Sequence, residues 1–213
     1  MNGVLTWPGF AILLLGIGHG VNPGMGWLFA VALGLQEQER RAVWRALLPL
    51  AAGHALAIGV ALTIALLIGS MVPPVVLKWA VGGVLVVFGI TRLLRHRHPR
   101  FGGMRVNARE LTWWSFLMAS AHGAGLMVLP FALGHMARAA HTPQAAHAGH
   151  AAAGVDGVIA MLVHTGGYLL ATGLAAVIVY EKLGLHFLRT LWLNIDLVWG
   201  IALVVTGVVA VVI

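Results

Sequence analysis

The chain has 213 residues, of which 60% are hydrophobic and only 9% charged, with a mean hydropathy of +0.94. A water-soluble domain carries about a quarter charged residues, and disorder needs high charge with low hydrophobicity, so both classes are excluded. Cysteine is absent, which removes disulfides, iron–sulfur clusters, thiol redox chemistry and thiolate metal sites. The formal charge of +7 is not the mark of a nucleic-acid face, because the basic residues sit in short segments between apolar runs.

In chain order, the first apolar run has no charge before Glu37 and predicts a helix over roughly 8–35. It lacks a basic n-region and outlasts an h-region, so no cleavable signal peptide is expected. Asn22-Pro23-Gly24 interrupts it, since Pro23 has no N–H to donate and clashes with the turn before it. A second charge-free run, from Arg45 to Lys78, predicts a helix over 47–70. Met71-Val72-Pro73-Pro74 then turns the chain into a third helix over 74–94. The remaining runs predict helices over 112–137, 156–180 and 190–213. The last is Val-rich from Leu203 to Ile213, a strand-favouring composition for which lipid leaves only the helix. The expected fold is therefore all-α, a polytopic membrane protein of six transmembrane helices.

Lys and Arg fix the expected orientation. Arg40, Arg41 and Arg45, then six residues from Arg92 to Arg109, then Lys182 and Arg189, fall in alternate loops, against Lys78 and Arg138 opposite. By the positive-inside rule the basic loops face the cytoplasm, and both termini and the 138–154 loop face outward. A cytoplasmic (inner) membrane is the expected location. Trp27, Trp44, Trp79, Trp113, Trp114 and Trp192 fall near predicted span ends, as an interfacial aromatic belt requires.

The chain also repeats itself. Ile17-Gly18-His19-Gly20 has a counterpart in Ala121-His122-Gly123, and the next helix of each half carries one more histidine, His54 and His164. Three spans per half is an odd number, so residues 1–111 and 112–213 would form two inverted three-helix repeats. Repeats of that kind place a transporter's substrate site at their interface, near the midplane.

The histidines carry the chemistry. His19, His54, His122 and His164 each stand inside an apolar helix, where an imidazole must hydrogen-bond, ligate a metal or face a water-filled cavity. The bland reading is that each only bonds across to a neighbouring helix. Four in matching positions favour a site, and the break at Pro23 and Gly24 adds Asn22 and Met25 to it. Gly123, Gly125 and Pro130 are expected to open the fourth span similarly, beside Met127. The outer segment holding His141, His147 and His150 reads equally well as a weak metal-gathering tract or as a soluble linker. His96 and His98 lie in the basic loop, solvated.

The stretch Gly16-Ile-Gly-His19-Gly-Val-Asn-Pro23-Gly24-Met-Gly26, followed by Ala30 to Leu35, resembles the first motif of NicO-type nickel/cobalt exporters. His54 matches the second-helix histidine of that family. The His-Gly start and residues 28–35 also look like the HupE/UreJ permeases, within a LysE-like superfamily of inverted three-helix repeats. The close match covers about a quarter of the chain. Met25 stands where the exporter motif has its second histidine, Trp27 where a lysine is usual, and the Asp-His pair of the permeases is absent.

These observations imply a membrane permease for a transition-metal ion such as nickel, cobalt or copper, lined by His19, Asn22, Met25, His54, His122 and His164. No carboxylate is expected deep in any span, and neutral imidazoles with Met25 and Met127 suit a soft or monovalent ion such as Cu(I). The competing readings are a redox subunit with bis-histidine haem and a non-catalytic subunit of a larger membrane complex, with a homo-oligomer also allowed. An enzyme is not expected: there is no carboxylate pair in a span, no Gly-x-Ser-x-Gly and no His-Glu-x-x-His.

Overall fold

The computed structural model describes residues 7–69, 71–94, 107–138, 143–183 and 195–212, and no strand occurs among them. Among these residues eight α-helices follow one another: α1 (Trp7–Val21), α2 (Trp27–Glu37), α3 (Arg40–Gly69), α4 (Pro74–Leu94), α5 (Ala108–Ala121), α6 (Ala124–Arg138), α7 (Pro143–Ile178) and α8 (Ile195–Val212). A single 3-10 turn, Pro23–Met25, joins α1 to α2, and a wider π turn, Val179–Leu183, ends α7.

Local chemistry sets the ends. Asn107 accepts from the Glu110 amide while the Glu110 carboxylate accepts from the Asn107 amide, a reciprocal cap that starts α5. Pro74 opens α4, where its missing N–H costs nothing. Gln38 takes a left-handed conformation after α2, and the Gly34 carbonyl accepts from the amides of Gln38 and Glu39.

α3 and α7 are each long and apolar enough to cross a membrane, and α5 with α6, bent by 59°, makes a third if the pair counts as one. Large apolar side chains cover the outside, among them Leu48, Leu67, Val87, Leu117 and Leu162. Such a surface is paid for in water and free in lipid. α1, α2, α4 and α8 are shorter apolar helices.

Glycines let backbones meet. A Cβ on Gly82 would lie 2.9 Å from the Gly207 carbonyl, and one on Gly89 would lie 2.8 Å from that of Gly200, so α4 and α8 run antiparallel in direct contact. Gly16 and Gly20 of α1 face His164 and Tyr168 of α7 in the same sense, so those two helices are parallel. At one end of the bundle Arg40, opening α3, pairs with Glu181 at 2.9 Å, and Arg45 pairs with Glu37.

Three expectations are corrected. The segment expected as an outer loop over 138–154 is helical from Pro143 onward, because Ala145, Ala146, Ala148 and Ala151 to Ala153 make it a strong helix former. The arginines expected in the first loop open α3 instead, which begins at Arg40 rather than 47. Pro130 does not break its helix: it lies inside α6, and the interruption falls seven residues earlier, at His122 and Gly123, where Gly123 takes φ +73°. Proline inside an apolar helix is tolerated where neighbouring helices satisfy the freed backbone.

Candidate functional site

His19, His54 and His164 come from α1, α3 and α7, and all three are fully buried. Close backbone approach brings them together. A Cβ on Gly16 would stand 2.1 Å from the His164 carbonyl and one on Gly20 would stand 2.3 Å from the Tyr168 carbonyl. Only glycine fits there, and His19, one residue before Gly20, is drawn against α7. Gly53, one residue before His54, meets the Thr112 carbonyl at 2.2 Å by the same measure and seats α3 on α5.

The three imidazoles form a triangle. Ring centroids are 5.0 Å apart for His19 and His164, 5.3 Å for His19 and His54, and 5.4 Å for His54 and His164. Neither ring nitrogen of His54 has a hydrogen-bond partner, and His164 makes no bond of normal geometry, though the Ile12 carbonyl faces it. The Leu15 carbonyl faces His19. As placed, the rings meet by edges and faces, and among the described residues no group of three or more His, Asp or Glu is disposed to hold a metal ion.

Their spacing is nevertheless close to the size of a metal site. The centre of the triangle set by those separations lies about 3.0 Å from each ring centre, and an imidazole nitrogen lies about 1.1 Å out from its own, leaving about 1.9 Å against a usual bond of roughly 2.0–2.1 Å. Turning a ring about its Cβ–Cγ bond swings the nitrogens while leaving the centroid almost still. For His54 that turn breaks no hydrogen bond, though it gives up the parallel stack on Tyr168.

The first break borders this triangle. Asn22 accepts from the Gly24 amide at 2.9 Å, and Gly26 takes φ +127°. The carbonyls that the break frees are met by side chains. The Trp27 indole donates to Val21 at 3.0 Å, the Tyr168 hydroxyl to Met25 at 2.8 Å, and the Thr172 hydroxyl to Gly20 at 3.4 Å. Trp27 is thus buried at the break and is not part of an interfacial belt. Trp44, Trp79 and Trp113 do face outward, and Trp192 lies outside the described residues. The Asn22 Nδ2 is buried with no partner. Met25 is buried beside it.

His122 stands at the second break, 3% exposed, with its Nδ1 2.8 Å from the Met118 carbonyl. A carbonyl only accepts, so Nδ1 carries the proton and Nε2 the lone pair. His122 lies within electrostatic range of His19, but the close triangle comprises the other three. Met127 is fully buried on the first turn of α6. His141 lies outside the described residues, as do the side chains of His147 and His150.

Sequence reasoning missed Tyr168. Its ring stacks on His54 at 4.0 Å, parallel within 4°, while its hydroxyl holds the break. The signal was there: His164, Tyr168 and Thr172 recur every four residues, a polar stripe on an apolar helix. Ser115 was missed as well; it donates to the Leu50 carbonyl at 2.6 Å. Of the carboxylates whose side chains are described none is buried: Glu37, Glu39, Glu110 and Glu181 are exposed and Asp156 is half-buried, while the side chain of Asp196 lies outside the described residues. The chain matches no protein-family model, and no curated protein or solved structure matches it.

Proposed function

We propose that the chain is an integral membrane permease for a transition-metal ion of the nickel, cobalt or copper kind, which passes between His19, His54 and His164. One observation carries this reading: three buried imidazoles from three helices, with ring centroids 5.0 to 5.4 Å apart, the separation that three ligands of one ion would need. A carrier needs ligands that release as readily as they bind, and the His54 ring, which turns without losing a hydrogen bond, suits that. His122 and the break residues Asn22 and Met25 line the approach.

Six crossings in two inverted repeats, within a cytoplasmic membrane, complete the proposal. The element order supports it: a broken helix, then a long one, then a shorter one, occurs twice. The packing supports it too, because exchanging the halves turns the α1–α7 contact into α5–α3 and the α2–α3 contact into α6–α7, and all four occur. The pairing of Arg40 with Glu181 supports it as well, because it joins the chain after α2 to the end of α7, the two ends that the basic loops assign to one side. The likeness of residues 16–26 to the nickel/cobalt exporter motif points the same way.

The haem alternative fits less well. Two imidazoles that share an iron stand on opposite faces of a flat macrocycle, whereas here the rings touch each other. The test is metal flux into proteoliposomes that enclose a metal-responsive dye. Wild-type protein is expected to pass ions, and His54→Ala and His164→Ala to reduce flux at least about tenfold. Equal flux in all three preparations would sink the proposal.

A further inference from the structure

We propose that the ion suited to this site is singly charged and soft, of the Cu(I) class. This rests on the permease reading and narrows its cargo. The first support is charge. The buried polar side chains described are histidine, asparagine, serine, threonine and tyrosine, and no carboxylate is among them, the side chain of Asp196 lying outside those described. The cost of placing an ion in low dielectric grows with the square of its charge, so a divalent ion among neutral ligands loses about four times what a monovalent one does.

The helix ends supply the second support. α1 ends at Val21 with His19 in its last turn, and α5 ends at Ala121 with His122 capping it. A helix C-terminus acts as roughly half a negative charge, so the two together offer at most about one unit, before the opposing starts of α2 and α6 are subtracted. Even that upper bound falls short of the two charges of a divalent ion.

Donor chemistry is the third. Both breaks carry buried thioethers, Met25 and Met127, and the Met118 methyl group lies beside the first break, about where a Cβ on Gly24 would meet it at 3.5 Å. Imidazole and thioether are the donors that favour monovalent copper, while oxygen donors, which suit harder ions, are confined here to carbonyls, amides and hydroxyls. Methionine in an apolar helix also serves as packing, so charge carries more of the argument than sulfur.

The experiment compares Cu(I), held in a reducing anaerobic buffer by a competing chelator, with Ni(II) and Co(II), on the purified full chain in detergent. The readout is the ion lost when His54 becomes Gln, which leaves ions held elsewhere out of the count. Cu(I) is expected to lose about one equivalent, and Ni(II) and Co(II) none, at concentrations where Cu(I) saturates. X-ray absorption of the copper-loaded wild type needs no variant and is expected to show a low-coordinate shell of nitrogen, with or without sulfur. A His54-dependent equivalent of Ni(II) or Co(II), held as tightly as Cu(I), would overturn the charge argument and leave the permease reading intact. A six-coordinate oxygen-rich copper shell would likewise overturn it. No His54-dependent ion of any kind would remove both.

Discussion

Two regions of this bundle use one packing device for different ends. Between α4 and α8, Gly82 and Gly89 meet Gly207 and Gly200, and the surroundings are apolar: Leu85 and Leu203 are fully buried there. Between α1 and α7, Gly16 and Gly20 seat one backbone on another just as closely, but the space beside them holds His19, His164, Tyr168 and Thr172. Glycine therefore specifies approach and not chemistry. What separates the regions is the break after His19, which places hydrogen-bonding backbone in the middle of an apolar bundle and calls in polar side chains to meet it.

The comparison is open to direct attack. The largest effect is expected from Gly16→Ala, whose methyl group would stand 2.1 Å from the rigid His164 carbonyl. Thermal unfolding in detergent should show a loss at the upper end of the overpacking range of about 1–3 kcal/mol, together with loss of ion binding. Gly82→Ala should cost less, because its nearest neighbour at 2.4 Å is the side chain of Val211 and the Gly207 carbonyl stands farther off, at 2.9 Å, and ion binding should persist in the protein that remains folded. Gly83→Ala, with nothing within 4 Å, is the control and should be neutral or stabilising by up to about 1 kcal/mol. If Gly82→Ala abolished binding as fully as Gly16→Ala, the division between a packing region and a chemical region would fail.

Tyr168→Phe comes next in size. It keeps the stack on His54 and removes the bond to the Met25 carbonyl, a loss of about 0.5–1.5 kcal/mol with faster amide exchange at residues 22–29. Exchange that rose equally in α4 and α8 would show a general loosening instead. Arg40→Ala should matter least. Its pair with Glu181 is largely exposed, and a melting temperature shifted by more than a degree or two would contradict that ranking.

Most of the apolar helices could be read from the chain because charge is so scarce that its gaps mark them. The interruption at Asn22 and Pro23 was readable for a covalent reason, the missing N–H of proline. The second was readable only in part: Gly123, Gly125 and Pro130 all mark the fourth span, and which of them interrupts it depends on how α5 and α6 pack. The Ala-rich tract was misread as a loop because its histidines suggested solvent, while its alanines favour a helix in any solvent. Four buried histidines were foreseen one by one. Which three would touch depended on Gly16, Gly20 and Gly53, and a glycine does not announce what it will face.

α7 has 36 residues, which at about 1.5 Å per residue makes a rod of about 54 Å, against a hydrocarbon core of about 30 Å. His150 and His164 lie on that same rod, 14 residues and so about 21 Å apart along its axis. At that separation no single ion bridges His150 and His164. Whatever tilts the rod moves both at once, so the histidine tract and His164 are two points on a single lever.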